Sequence, residues 1–394
     1  MRQDFERKIP MTKVTKVGVV IGRFQPLHHA HLSEVILPAL KESDVLLILL
    51  GSSQKPRTPK DPWTDEDRGQ MIYNGLLDSL GCTNSDFQYY SPFMFRTGSH
   101  LAEQKAVHIV PIKDCVYSNA QWQMNVQEKV KEAIALECKT GSISCVGGSN
   151  IKGKDIEVYL YGVDRDESTF YLDMFPQWKS KTLVRDAKDD LVNGTMCREL
   201  IFSNADWNSE EWLDLVSPSV GKFILDWIKT PAFTVIKEEY DFLTKYKEEM
   251  AKFKYPLIFQ TADNVILWKG HILLANRRSF PGKGLWALPG GFVDANKTIL
   301  QSSIENAKSK TKIQLKSEWL VASKTFDNPK RSLRGRTITT AHLWKLPDNM
   351  SFDVEAGKNT NKVQWFQFSD VMQMSNVLYE DHYDIIVDML AKVS

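Results

Sequence analysis

The chain has 394 residues, too many for one core of ordinary size and enough for two domains. Lysine and arginine number 50 against 49 aspartates and glutamates, so the formal net charge of +1 gives no support to a nucleic-acid or general polyanion binder, and any basic site must be local. The apolar fraction of 42% fits a folded chain, and the longest apolar run, Val45–Leu50, is far too short to span a bilayer. Five cysteines without a CxxC pair argue against a disulfide framework and a zinc site. With a charged N-terminus that is no signal peptide, the expectation is a cytoplasmic chain with no membrane partner.

"KVGVVIG" (Lys16–Gly22) is a continuous apolar run, as in a strand buried on both faces. His31–Ser43 suits a helix that Pro38 should bend or end. Asp44–Ser53 reads as a second buried strand. Strand, helix and strand in this order make a βαβ unit and so a parallel sheet. "AVHIVPI" (Ala106–Ile112) and "SISCVGG" (Ser142–Gly148) are further strand-like runs, and Asn125–Cys138 between them is helical in pattern. The α/β pattern continues to about Ile228. Lys237–Tyr255 is charged, with apolar residues at helical spacing, and reads as a connecting helix. Short β-type runs follow, an α+β texture distinct from the first half. The expected divisions are residues 1–232, 233–252 and 253–394.

"IGRFQPLHHAH" (Ile21–His31) carries the chemistry of the first half. A buried strand ends at Gly22, Arg23 and Phe24 follow, and His28 and His31 stand three apart, on one side of a helix start. In open α/β sheets this junction is where phosphates bind. Two imidazoles and a guanidinium there can hold triphosphate oxygens and the charge that builds on an attacked phosphorus. Taken alone, the pair also fits a helix start with solvated histidines.

The stretch resembles the GRFxPxHxGH-type motif of the nicotinamide-mononucleotide (NMN) adenylyltransferases, in the archaeal-type form that is found fused to a Nudix domain. Ala30 stands where that family usually has glycine. "SKTLVR" resembles the family's second signature, Ser-x-Thr-x-x-Arg opening a late helix, with Ser180, Thr182 and Arg185. The resemblance implies a Rossmann-like nucleotidyltransferase with a parallel sheet. In it His28, His31 and Arg185 act on the ATP phosphates while Gly22, Arg23, Phe24, Ser180 and Thr182 bind substrate. It further implies that the loop after the second strand, Gly51 and Ser52 with Arg57 and Lys60, contacts phosphate. Asn119 and Trp122 of "PIKDCVYSNAQW" would hold the nicotinamide end, by a carboxamide hydrogen bond and by stacking on the pyridinium. The implied substrates are ATP and NMN, the products NAD and pyrophosphate. Mg²⁺ would ride on the ATP phosphates, with no protein metal site, and a homo-oligomer is expected. The choice between NMN and its nicotinic-acid analogue stays open.

In the second half, Arg277–Asp294, Phe326–Thr339 and Tyr379–Ile386 resemble segments of ADP-ribose-hydrolysing Nudix domains, which implies an α+β Nudix fold. The Nudix box, G-x5-E-x7-R-E-U-x-E-E-x-G-U with U a bulky aliphatic residue, anchors on Gly291. It then puts Lys297 at the first Glu, Glu305 at the Arg, Asn306 at the next Glu, Ser309 and Lys310 at the paired acids and Lys312 at the Gly. Hard Mg²⁺ needs several oxygen ligands, and lysines repel it. Glu305 with Asp294 nearby is a poor substitute. Ile299, Leu300, Ile304 and Ala307 still give an apolar helix face. The expected function is NMN adenylyl transfer beside a Nudix-like domain that has lost its catalytic carboxylates, with ADP-ribose or NAD as its ligand. The alternatives are a bifunctional enzyme that keeps ADP-ribose hydrolysis through displaced acids and a non-catalytic nucleotide-binding regulator. Arg331, Arg334 and Arg336 keep the family's basic run, which fits a nucleotide site or a solvated loop alike.

Overall fold

The two apolar runs form strands β1 (Thr15–Gly22) and β2 (Val45–Leu50), and all six residues of β2 are buried, as befits an inner parallel strand. The computed structural model describes residues 14–91, 93–98, 104–140, 156–163, 171–183, 193–203 and 210–392. Between the strands lie α1 (His29–His31), a π-helical stretch (Leu32–Ile36) and α2 (Leu37–Glu42). Pro38 does not end this segment. It falls in the first turn of α2, where a missing N–H costs little, right after the π-helical stretch.

Further along come α3 (Asp65–Leu80), β3 (Gln88–Ser91), β4 (Met94–Arg96), β5 (Ala106–Pro111), α4 (Asn119–Lys139), β6 (Ile156–Val163) and β7 (Lys179–Leu183). After them come α5 (Gly194–Ser203), α6 (Glu210–Leu213) and α7 (Pro218–Trp227). The sheet order is β3-β4-β5-β2-β1-β6-β7, parallel from β5 to β7. β2 pairs on one side of β1 and β6 on the other, so the order reverses at β1, the switch point where ligands bind in such sheets. Val17, Val19, Leu47 and Leu49 pack on one face against Val126, Val130 and Ile134 of α4. The run Ser142–Gly148 lies outside the described residues.

Glu137 of α4 is fully buried, and its carboxylate accepts from His108 Nε2 at 2.6 Å and Arg96 Nη2 at 2.8 Å. Burial alone would raise its pKa, but the bonds from His108 and Arg96 hold it down at about 2. Its folded pKa thus lies below the unfolded one. The stabilisation is complete above the unfolded pKa of roughly 4.3 and disappears as pH falls toward 2. Glu137→Gln should cost about 3 kcal/mol at pH 7, with the penalty shrinking at pH 3, as read by urea unfolding. A penalty equal at both pH values would contradict the ion-pair account.

The second signature departs from expectation. Ser180 and Thr182 do not open a helix but lie on the edge strand β7, where Thr182 pairs with Gly162 and Ser180 with Leu160. Pairing with β6 supplies the backbone bonds that a helix start would have needed from caps. Arg185 falls outside the described residues.

Contacts divide the chain into two units. One comprises residues 1–53, 65–113 and 120–224; the other comprises 54–64, 114–119 and 225–394. In the second, Thr230 caps α8 (Pro231–Met250), its hydroxyl accepting from Phe233 N, with proline at the first turn. A second sheet joins β8 (Phe259–Trp268), β9 (His271–Arg277), β10 (Trp286–Ala287), β11 (Gly290–Phe292), β12 (Leu320–Phe326), β13 (Thr337–Lys345) and β14 (Thr360–Gln367). Its main order is β10-β9-β8-β13-β12, with β11 on β8 and β14 on β9. β8 and β13 run parallel. Alternate residues of β8 serve opposite faces, with helix α9 (Ile299–Thr311) on one and, beyond the short α10 (Phe368–Val371), helix α11 (His382–Leu390) on the other. Ile266 packs with Ala307 of α9, whereas Val265 and Leu267 pack with Ile385 and Met389 of α11.

Cys82, Cys115 and Cys197 stand outside any disulfide, but Cys138 is disulfide-bonded, a crosslink the sequence reading did not expect. Among the described residues no helix is long and apolar enough to cross a membrane.

Candidate functional site

In the first unit the site is built where β1 and β2 end. Phe24 takes a left-handed φ of 49°, which folds its ring back over Gly22. A Cβ on Gly22 would lie 2.6 Å from that ring, so only glycine fits. His28 is buried at the N-cap of α1 and stacks on His31 with ring centroids 3.6 Å apart, and Phe24 meets His31 edge-on at 4.9 Å. The π-helical stretch begins directly after His31, a feature often met at functional sites. Arg23 is exposed beside these rings.

The loop after β2 is fixed to the same point. Gly51 N donates to Gly22 O at 2.9 Å, and Ser52 has a left-handed φ of 51°. Arg68 of α3, 1% exposed, ties the two loops together. Its Nη1 donates to Arg23 O and Gly51 O, both at 2.7 Å, and its Nη2 donates to Ser53 Oγ at 3.0 Å and Asp65 Oδ1 at 2.6 Å. The sequence reading chose Arg57 and Lys60 from this loop and passed over Arg68. The Asp65–Arg68 spacing of three on a helix start was the available signal. Arg198 of α5, also buried, donates to Gln25 O and so holds the loop from another side.

Gly22, Arg23, Phe24, His28, His31, Gly51 and Ser52 thus meet at one place. Ser180 and Thr182 are on β7, two strands from β1 and so roughly 10 Å across the sheet. Trp122 is half-buried at the edge of the first core, 6.0 Å from the Phe175 ring. Asn119 is the exposed first residue of α4. Arg57, Lys60 and Asn119 belong to segments grouped with the second unit.

The second unit contains a cavity of about 320 Å³. Phe242 and Tyr246 of α8 line it, so this helix is a wall of the cavity and more than a connector. Glu239 of the same helix accepts from Gly282 N at 2.9 Å. Arg277, Lys310, Arg331 and Arg334 also line the cavity, against two carboxyls, Asp263 and Glu380. Burial raises the pKa of both carboxyls. Arg331 is committed to Asp381, with two bonds of 2.8 Å and both side chains at most 3% exposed. Arg336 is directed to Asp327 instead. His382 accepts from Leu288 N at 2.8 Å, and burial pushes its pKa down to about 3, so the ring is neutral.

Helix α9 has the register expected of the box. Thr298 caps it in a capping box with Gln301, and Lys312 has φ 63°, the left-handed conformation that favours glycine at that position of the motif. Of the expected apolar face, Ala307 is buried and Leu300 and Ile304 pack against the same core, while the rest of the buried surface differs. Ile299 is exposed, and Ser302, Ser303, Ala307 and Thr311 are buried. Ser303 is accommodated by a bond to Asn264 Oδ1 and Thr311 by one to Ala307 O. The box residues do not suit a divalent metal. Lys297 donates to Glu305 at 2.6 Å, Asn306 donates its amide to Phe292 O, and Ser309 is exposed. Among the described residues no three His, Cys, Asp or Glu side chains are gathered to hold one.

Residues 19–145 match the family model of cytidylyltransferase-like domains, so the first unit is nucleotidyltransferase-like. The chain is 29% identical over 184 residues to the nicotinamide/nicotinic acid mononucleotide adenylyltransferase of Acinetobacter baylyi, covering 47% of this chain and 74% of that one. It is 28% identical over 140 residues to the ADP-ribose pyrophosphatase of Methanocaldococcus jannaschii, covering 35% and 78%. The crystal structure of a bifunctional NMN adenylyltransferase/ADP ribose pyrophosphatase from Francisella tularensis superposes with a TM-score of 0.77 at 26% identity, over 97% of this chain and all of that one. That protein is also solved with AMP and a manganese ion. The chain is therefore similar to NMN adenylyltransferases and, over nearly its whole length, to a protein that joins such a transferase to an ADP ribose pyrophosphatase.

Proposed function

We propose that the first unit joins NMN to ATP, forming NAD and releasing pyrophosphate. The observation that carries this reading is the stacked pair His28–His31 at the switch point of a parallel sheet, beside two strand-end loops locked by Arg68. A 5′-phosphate oxygen of NMN attacks the α-phosphorus of ATP, the bond to the bridging oxygen breaks, and pyrophosphate leaves. The nucleophile is already ionised at neutral pH, so no general base is needed. The protein's part is positioning and charge stabilisation, with the divalent ion carried in on the ATP phosphates. His28 and His31 hold the phosphates, Arg23 offers an exposed positive charge, and Arg185 is assigned to the opposite side of the triphosphate by its motif. Asn119 and Trp122 are assigned to the nicotinamide end. The test is NAD formation with NMN and with nicotinic acid mononucleotide in parallel; no dinucleotide from either would refute the reading.

The second unit, in this reading, binds an ADP-ribose-type nucleotide without hydrolysing it, because ammonium, amide and hydroxyl groups stand where metal-ligating carboxylates are required. The full chain should release no AMP from ADP-ribose with Mg²⁺ or Mn²⁺. Turnover that disappears in Glu305→Gln or Asp294→Asn would mean that displaced acids do the work, and that the chain is bifunctional.

A further inference from the structure

Resting on that reading of the second unit, we propose that its cavity binds a diphosphate-linked nucleotide without any divalent cation, the ammonium of Lys310 standing in for the metal's charge. The register of α9 supports this first. Left-handed Lys312 and the capping box at Thr298 fix the box positions, so Lys310 does occupy the second of the paired-acid sites. It is also the one box lysine that lines the cavity. Lys297 instead satisfies Glu305 and Asp294 elsewhere on the surface.

The charge inside the cavity points the same way. With Arg331 held by Asp381, three cationic groups remain, Arg277, Lys310 and Arg334. They face Asp263 and Glu380, both biased by burial toward their neutral forms. Burial also disfavours the charged form of Lys310, and Arg277 and Lys358 repel it further, so an anion would relieve all three. A divalent cation would enter against the same charges. Among the described residues Arg334 Nε has no hydrogen-bond partner, and its guanidinium lies 5.2 Å over the Phe292 ring, where it can take a phosphate oxygen. The cavity exceeds the needs of a lone phosphate, and Phe242, Tyr246, Phe280 and Phe292 give it an aromatic side suited to a base or ribose.

The experiment is calorimetric titration of the full chain with ADP-ribose in excess EDTA and in excess Mg²⁺, with amide hydrogen exchange to localise the site. The expected result is similar affinity in both buffers and slowed exchange at residues 277–292 and 379–382. Lys310→Met should weaken binding in EDTA roughly tenfold or more, whereas Lys310→Arg should retain it. Lys297→Met, outside the cavity, should change nothing and so separates a local contact from general charge. Binding seen only with Mg²⁺, or undiminished in Lys310→Met, overturns the proposal and leaves the nucleotide-binding reading standing. Absence of protection at those segments in both buffers overturns both.

Discussion

His31→Ala is expected to lower kcat/KM for adenylyl transfer by about a hundredfold or more while the chain stays folded. His31 is only half-buried, and it meets the ring of Phe24 on its edge and that of His28 on its face. Because the residue is not fully buried, its removal should leave only a small gap at the rim of the core. In the transition state it would face the triphosphate, where one pre-aimed donor in a water-poor site is worth roughly 3–4 kcal/mol. The loss should appear mainly in kcat, because charge on the phosphates grows between ground and transition state. Circular dichroism and thermal unfolding would establish that the fold survives. An unchanged kcat/KM would remove His31 from the chemistry and leave the stacked pair as a packing device.

Arg68→Met should act differently, on stability and activity together. The guanidinium is 1% exposed and makes four bonds, two of them to the backbone carbonyls of Arg23 and Gly51. A thioether can fill much of the space but leaves those carbonyls and the Asp65 carboxylate without their donor. Breaking a buried ion pair from one side costs about 3–5 kcal/mol. The two loops that frame His28 and His31 would lose their common tie, so KM for ATP should rise along with the fall in stability. Arg68→Lys should recover only part of both, since one ammonium cannot serve carbonyls on two loops and a carboxylate in a planar fork. Urea unfolding with steady-state kinetics reads both effects. Full stability with full activity would contradict the positioning role.

Much of this was legible in the sequence where the signal is local. β1 and β2 follow from apolar runs that only a doubly covered strand can bury. The cluster of Gly22, His28 and His31 after β1 follows from a strand end, a glycine and two histidines at helical spacing. In the second half the box could be counted off from Gly291, and the left-handed Lys312 agrees with that register. The loss of acids was likewise visible as a matter of residue type. The apolar face of α9 was legible at Leu300, Ile304 and Ala307, which pack on the core, but not at its ends. Ile299 is exposed, and Ser302, Ser303 and Thr311 are buried because partners on other elements or on the same helix satisfy their hydroxyls.

By itself the sequence determined strands β1, β2 and β5 and the helix before residue 139, the place of the two histidines just after β1, and which box positions lack carboxylates. Each of these depends on residue type and spacing within one element. The tertiary structure alone decided the rest. Ser180 and Thr182 joined a strand because β6 offered an edge to pair with. Arg68 became the tie between two loops because its partners are backbone carbonyls 45 and 17 residues away, which no side-chain pattern records. Of the basic run, Arg331 was neutralised by Asp381, Arg334 was turned into the cavity and Arg336 was sent outside it. The physical reason is common to all three cases. A polar group's role is set by which partner reaches it after the chain has packed, and those partners lie far away in sequence.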